Sequence, residues 1–174
     1  MKPISEFRHV CEKNTLEEFL AQESSAVFIH CKVLDPLRTV DGTPGETIDR
    51  LALEREPSID PEGAFSPMLA YSVLPIEAQD GPRAGEFLIG CGQNCDILLN
   101  DASISRAHAW IELRDGAYLL RDNASAAGTQ VNDELLEVGE ERKLRSGAKV
   151  SFGAVDLLFL GPAEFYHFVK RVLD

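Results

Sequence analysis

The stretch Ala107-His108-Ala109-Trp110-Ile111-Glu112-Leu113-Arg114-Asp115-Gly116-Ala117-Tyr118-Leu119-Leu120-Arg121 decides the fold. From 107 to 114 the polarity alternates. Ala109, Ile111 and Leu113 fall on one face, His108, Trp110 and Glu112 on the other, which is the period of a half-buried strand. Asp115-Gly116 then supplies the two residues of a tight hairpin turn, so Ala117–Arg121 returns as the antiparallel partner. Trp110, on the polar-looking face, is expected either to pack beneath the terminal helices or to belong to an exposed binding patch.

The same texture extends outward from this hairpin. Short extended segments are predicted at 70–76, 86–89, 96–99, 129–131, 142–144, 149–152 and 155–160. Gln79-Asp80-Gly81-Pro82, Gly147, Gly153 and Gly161 punctuate them, a spacing that suggests an antiparallel sandwich or barrel. Pro162 opens a helix over 163–173 with an apolar stripe of Phe165, Phe168, Val169 and Val172. This stripe is expected to dock on the sandwich or on residues 4–34, with a partner-binding helix as the other reading.

The first third reads differently. Residues 4–22 carry helical periodicity broken near Asn14, where Thr15 and Glu18 have the spacing of a capping box. Residues 26–34 are an apolar, β-branched run, a buried strand. A turn at 41–45, a short helix at 46–55 and a linker with Pro57, Pro61, Gly63 and Pro67 follow. The expected organisation is an N-terminal helical/mixed extension of no recognised family (1–67), a β domain (68–162) and a C-terminal helix (163–174).

Charge narrows the partners. The chain of 174 residues carries a net charge of −12, with 17 Lys and Arg against 29 Asp and Glu. Residues 1–84 hold 8 basic and 15 acidic side chains, and residues 85–162 hold 7 and 12. No basic patch stands out, so neither nucleic acid nor an anionic membrane surface is an expected partner. The N-terminus lacks the apolar run of a signal peptide and no segment has the apolar length of a span, so a cytoplasmic location is expected. Cys11, Cys31, Cys91 and Cys95 are too few and scattered for a disulfide scaffold, and reduced thiols follow.

Residues 88–160 resemble the forkhead-associated (FHA) domain. The likeness is carried by Leu88-Ile89-Gly90, Cys95-Asp96-Ile97-Leu98-Leu99, Ser105-Arg106-Ala107-His108-Ala109 and Leu119-Leu120-Arg121-Asp122. It continues through Ser125-Ala126-Ala127-Gly128-Thr129, Val131-Asn132, Leu144-Arg145-Ser146-Gly147 and Phe152-Gly153. The resemblance implies a mainly β, two-sheet antiparallel sandwich whose inter-strand loops grip a phosphothreonine peptide. It gives Ser105 a phosphate-contacting role, Arg106 a charged fork beside it, and Asn132 a loop-supporting role. His108 becomes a brace between the binding loops, while Gly90, Gly128 and Thr129 mark the structural motif.

The chain departs from that pattern where it matters most. Cys91 stands where phosphopeptide-binding members place an arginine, and Ala126 and Ala127 stand where threonine and asparagine are usual. A hydrogen bond to a charged group contributes about 1.5–3 kcal/mol. Losing the arginine and asparagine together weakens a phosphopeptide by about two orders of magnitude.

Other chemistries have weaker support. Cys91 and Cys95 do not have zinc-ribbon spacing, and no metal or other cofactor is expected. A redox pair there would need a lowered thiol pKa, which an acidic surface disfavours. Ser105 and His108 lack an orienting third group, so no enzyme is expected. Two functions from different classes stay open. One is a scaffold that binds a protein partner with weak or no phosphothreonine dependence. The other is a phosphothreonine-reading adaptor in Ser/Thr kinase signalling. The sequence names neither the partner nor the oligomeric state.

Overall fold

The computed structural model describes residues 2–22, 25–33, 69–77 and 85–173. The turn expected at 41–45, the helix at 46–55, the linker at 56–67 and the Gln79–Pro82 turn lie outside these residues. The chain divides into two compact units, Met1–Cys31 with Tyr71–Asp174, and Lys32–Ala70.

In chain order the elements are β1 (Lys2–Pro3), α1 (Ser5–Lys13), α2 (Leu16–Gln22), β2 (Val27–Val33), β3 (Leu69–Pro75), β4 (Glu86–Gly90) and β5 (Ile97–Leu98). Then come β6 (Ala109–Arg114), β7 (Ala117–Asp122), β8 (Thr129–Val131), β9 (Glu134–Leu135), β10 (Glu141–Lys143), β11 (Lys149–Phe152), β12 (Val155–Leu160) and α3 (Pro162–Leu173). They form a sheet ordered β1-β3-β2-β12-β11-β8-β9 and a second ordered β10-β7-β6-β4-β5. The architecture is mainly β, as the sequence implied. Among the described residues, the pairings with a defined register are antiparallel except β4–β5, which is parallel.

The β6–β7 hairpin closes through Asp115 and Gly116 at φ 51° and 74°, with Arg114 opposite Ala117. Positive φ at both central positions matches the right-handed twist of the flanking strands. Asn132 and Asp133 repeat the device between β8 and β9, at φ 51° and 66°.

Two apolar cores hold the molecule. Phe28, Phe87, Ile89, Ile111, Leu120, Val150, Phe152 and Leu157 meet between the sheets. A second core lies on the outer face of the large sheet, where Val27, Ile29, Val73 and Leu160 meet Phe7, Phe19, Phe165, Tyr166 and Val169. Strand β2 therefore buries both faces over Val27, Phe28 and Ile29, which explains the apolar run at its start. It pairs with β12, Ile29 opposite Leu158. The Thr15 cap forms as expected. The Thr15 N–H donates to the Glu18 carboxylate at 2.8 Å, and the Glu18 N–H reaches the Thr15 hydroxyl at 3.4 Å. The α3 stripe docks on the chain's own α1 and α2, with Phe7 and Phe165 edge-to-face at 5.1 Å.

Two expectations change. His108 does not share the outward face of Trp110. Strand β6 begins only at Ala109, and His108 is fully buried, edge-on to Phe152 at 5.8 Å. Trp110 does not lie beneath the terminal helices, because these cover the other sheet. It is half-buried on the outer face of the five-stranded sheet. Among the described residues, no helix is long and apolar enough to cross a membrane.

Candidate functional site

Three loops meet at one end of the sandwich: 91–96 after β4, 99–108 before β6, and 123–128 between β7 and β8. Close backbone approach joins the first two. The Cys91 and Gly92 N–H groups donate to the carbonyls of Ser105 (3.1 Å) and Arg106 (3.0 Å). A side chain at Gly90 would put its Cβ 2.3 Å from the Arg106 oxygen, so glycine is required there by space.

Both thiols reinforce this seam. Cys91 Sγ donates to the Ile104 carbonyl at 3.1 Å, and Cys95 Sγ to that of Arg106 at 2.9 Å. Burial pushes the Cys95 thiol above its ordinary value against a hydrogen bond from Gly92, and nearby Cys91 and Asp96 add to the rise. Such a thiol is a weak nucleophile.

His108 ties the second loop to the third. Its Nδ1 accepts the Ser105 N–H at 3.0 Å, so Nε2 carries the proton and donates to the Gly128 carbonyl at 3.1 Å. The Ser105 hydroxyl oxygen accepts the Ala126 N–H at 3.0 Å. Gly128, at φ 81°, occupies the left-handed region that favours glycine.

The third loop is organised by Asp122, which is buried at 4% exposure. Its carboxylate accepts the Ser125 and Thr129 hydroxyls, each at 2.6 Å, and the Ser125 N–H at 3.0 Å. Burial opposes the charge, but the bonds from Ser125 and Thr129 outweigh it and hold the carboxyl below the usual carboxylate range. The Ser125 hydroxyl in turn accepts the Gly128 N–H at 3.0 Å. Asn123 closes the set, donating to the Ala107 carbonyl at 3.0 Å.

The structure thus brings Cys91, Ser105, Arg106, Ala126, His108 and Gly128 into one hydrogen-bonded assembly, with Arg106, Ala126 and Ala127 exposed. Thr129 is buried and serves Asp122. Asn132 is engaged elsewhere: its side-chain oxygen accepts the Lys149 N–H at 3.0 Å. Sequence reasoning missed the roles of Asp122, Asn123 and Ser125. The available signal was an Asp followed three residues on by Ser at a strand end, the local pattern by which short polar side chains organise a turn.

Arg106 supplies the only positive charge within 91–96, 99–108 and 123–128. Among the described residues, no three His, Cys, Asp or Glu side chains converge as a metal site would require.

The profile of the FHA domain family matches residues 87–153. Zebrafish nibrin is 44% identical over 75 residues, 42% of this chain and 9% of nibrin. The oxoglutarate dehydrogenase inhibitor of Corynebacterium glutamicum is 34% identical over 93 residues, 48% of this chain and 63% of that protein. The chain thus spans less than two thirds of either curated relative. The N-terminal FHA domain of S. cerevisiae Rad53p, solved in complex with a phosphothreonine peptide, superposes at TM-score 0.47 and 22% identity over 56% of this chain and 90% of that one. Residues 87–153 of this chain are an FHA domain.

Proposed function

We propose that the chain is a non-catalytic scaffold whose FHA loops bind a segment of a protein partner with little dependence on phosphate. One observation carries this reading. At the position after Gly90, where the family's phosphopeptide binders offer a guanidinium, the Cys91 thiol is turned onto the Ile104 carbonyl. A thiol so engaged cannot replace the planar, charged fork that meets phosphate oxygens in pairs. Ala126 and Ala127 add no side-chain donors, and a chain of net charge −12 repels an anionic ligand at long range. What the tip does offer is a rigid hydrogen-bonded frame, one cation and small exposed side chains, which suits a peptide held mainly through its backbone. A relative named as an enzyme inhibitor is in keeping with regulation by binding.

The second reading is a phosphothreonine-dependent adaptor, favoured by Ser105 beside Arg106. The double substitution C91R/A127N separates the two. Under the scaffold reading it creates phosphopeptide affinity that the unaltered chain lacks, by about two orders of magnitude. Equal phosphopeptide affinity in the unaltered and doubly substituted chains, both folded, would refute it.

A further inference from the structure

The geometry points to the outer face of the five-stranded sheet as a self-association surface for a second copy of this chain. Two rows of side chains cross that face in register. One runs Leu88, Trp110, Arg121, Glu141 and the other Glu86, Glu112, Leu119, Lys143, across β4, β6, β7 and β10. They point outward because their neighbours Phe87, Ile89, Ile111 and Leu120 fill the inner core. Trp110, Glu112, Leu119, Arg121 and Glu141 line a shallow depression at its centre. No helix among the described residues covers this face, whereas α1, α2 and α3 cover that of the other sheet.

Charge selects the occupant. Adding Arg114, the face carries three acidic and three basic side chains, so the net −12 of the chain resides elsewhere. Glu86 and Lys143 are both exposed, and neither enters an ion pair among the described residues. They lie in one row three strand spacings apart, about 14 Å, too far to meet within one chain. A twofold axis along the strands between β6 and β7 sets β10 of one copy over β4 of the other. Lys143 then meets Glu86 twice, and each Trp110 lies against the partner copy's Arg121. An isologous contact requires this kind of self-complementarity. The aromatic and arginine centre is the composition of energetically dominant interface residues. The patch is small, so the dimer is a weak one.

Sedimentation of the full chain at high micromolar concentration tests this. The expected result is a concentration-dependent species of twice 19.2 kDa. K143E and E86K should each weaken the dimer about tenfold, from two lost exposed pairs and new repulsions. The double swap E86K/K143E should restore it. A wild-type chain that stays monomeric overturns the proposal, as does a dimer that K143E leaves intact or that the double swap fails to restore.

Discussion

The hydroxyl oxygen of Ser105 accepts the backbone N–H of Ala126 at 3.0 Å, joining two loops that are 21 residues apart in sequence. A hydroxyl has one donor and two acceptor positions, so this bond leaves the Ser105 proton to donate elsewhere. The loop frame is thus made by the same group that the family's resemblance assigns to ligand contact. S105A therefore loses both: stability falls by about 0.5–1.5 kcal/mol in urea titration, and partner binding weakens. Unchanged stability would contradict the bond's structural role.

Gly90 is fixed by space and not by φ. G90A would drive its Cβ against the Ser105 and Arg106 carbonyls, which are main-chain atoms with little freedom to yield. The expected cost is about 1–3 kcal/mol with intact secondary structure by circular dichroism.

Asp122 gives the domain an acid-sensitive joint. Its folded-state carboxyl lies below the ordinary value of 3.8, so the unfolded chain binds more protons in acid. The stabilisation is complete above that value and is lost as the pH falls from it through the folded value. D122N should remove this slope and cost about 2–3 kcal/mol at neutral pH, because the buried hydroxyls of Ser125 and Thr129 lose their charged acceptor. Urea midpoints measured stepwise from neutrality to strong acid check both effects.

The helical layer contributes to the same folding unit. Phe165 packs edge-to-face on Phe7 at 5.1 Å and tilted on Phe19 at 6.3 Å. F165A should cost about 3–5 kcal/mol and lower the melting of the whole described unit in a single transition. Separate melting of helices and sandwich would show that the two cores are not coupled.

Local chemistry was readable and long-range pairing was not. The Asp115-Gly116 turn and the Thr15–Glu18 box are each set by a few adjacent residues, and both form as expected. Strands β1 and β9, two residues each, carry no periodicity to detect. The pairing of β2 with β12 joins residues about 130 apart, which no local pattern encodes. In the site, motif spacing marked Ser105, His108 and Gly128, and in this chain hydrogen bonds link all three. The buried role of Asp122 was overlooked, despite the Ser three residues on, because a charged residue at a strand end usually reads as solvent-facing. His108 was misplaced for a related reason: the alternation includes two residues, Ala107 and His108, that precede the start of the strand at Ala109.

The central claim is that this tip holds a partner without relying on phosphate. Calorimetric titration of the full chain with matched peptide libraries, identical except for phosphorylation of a central threonine, tests it most directly. The account predicts that phosphorylation changes affinity by less than about tenfold, within 1.4 kcal/mol. Micromolar binding that appears only with the phosphate, and disappears in R106A, would contradict it.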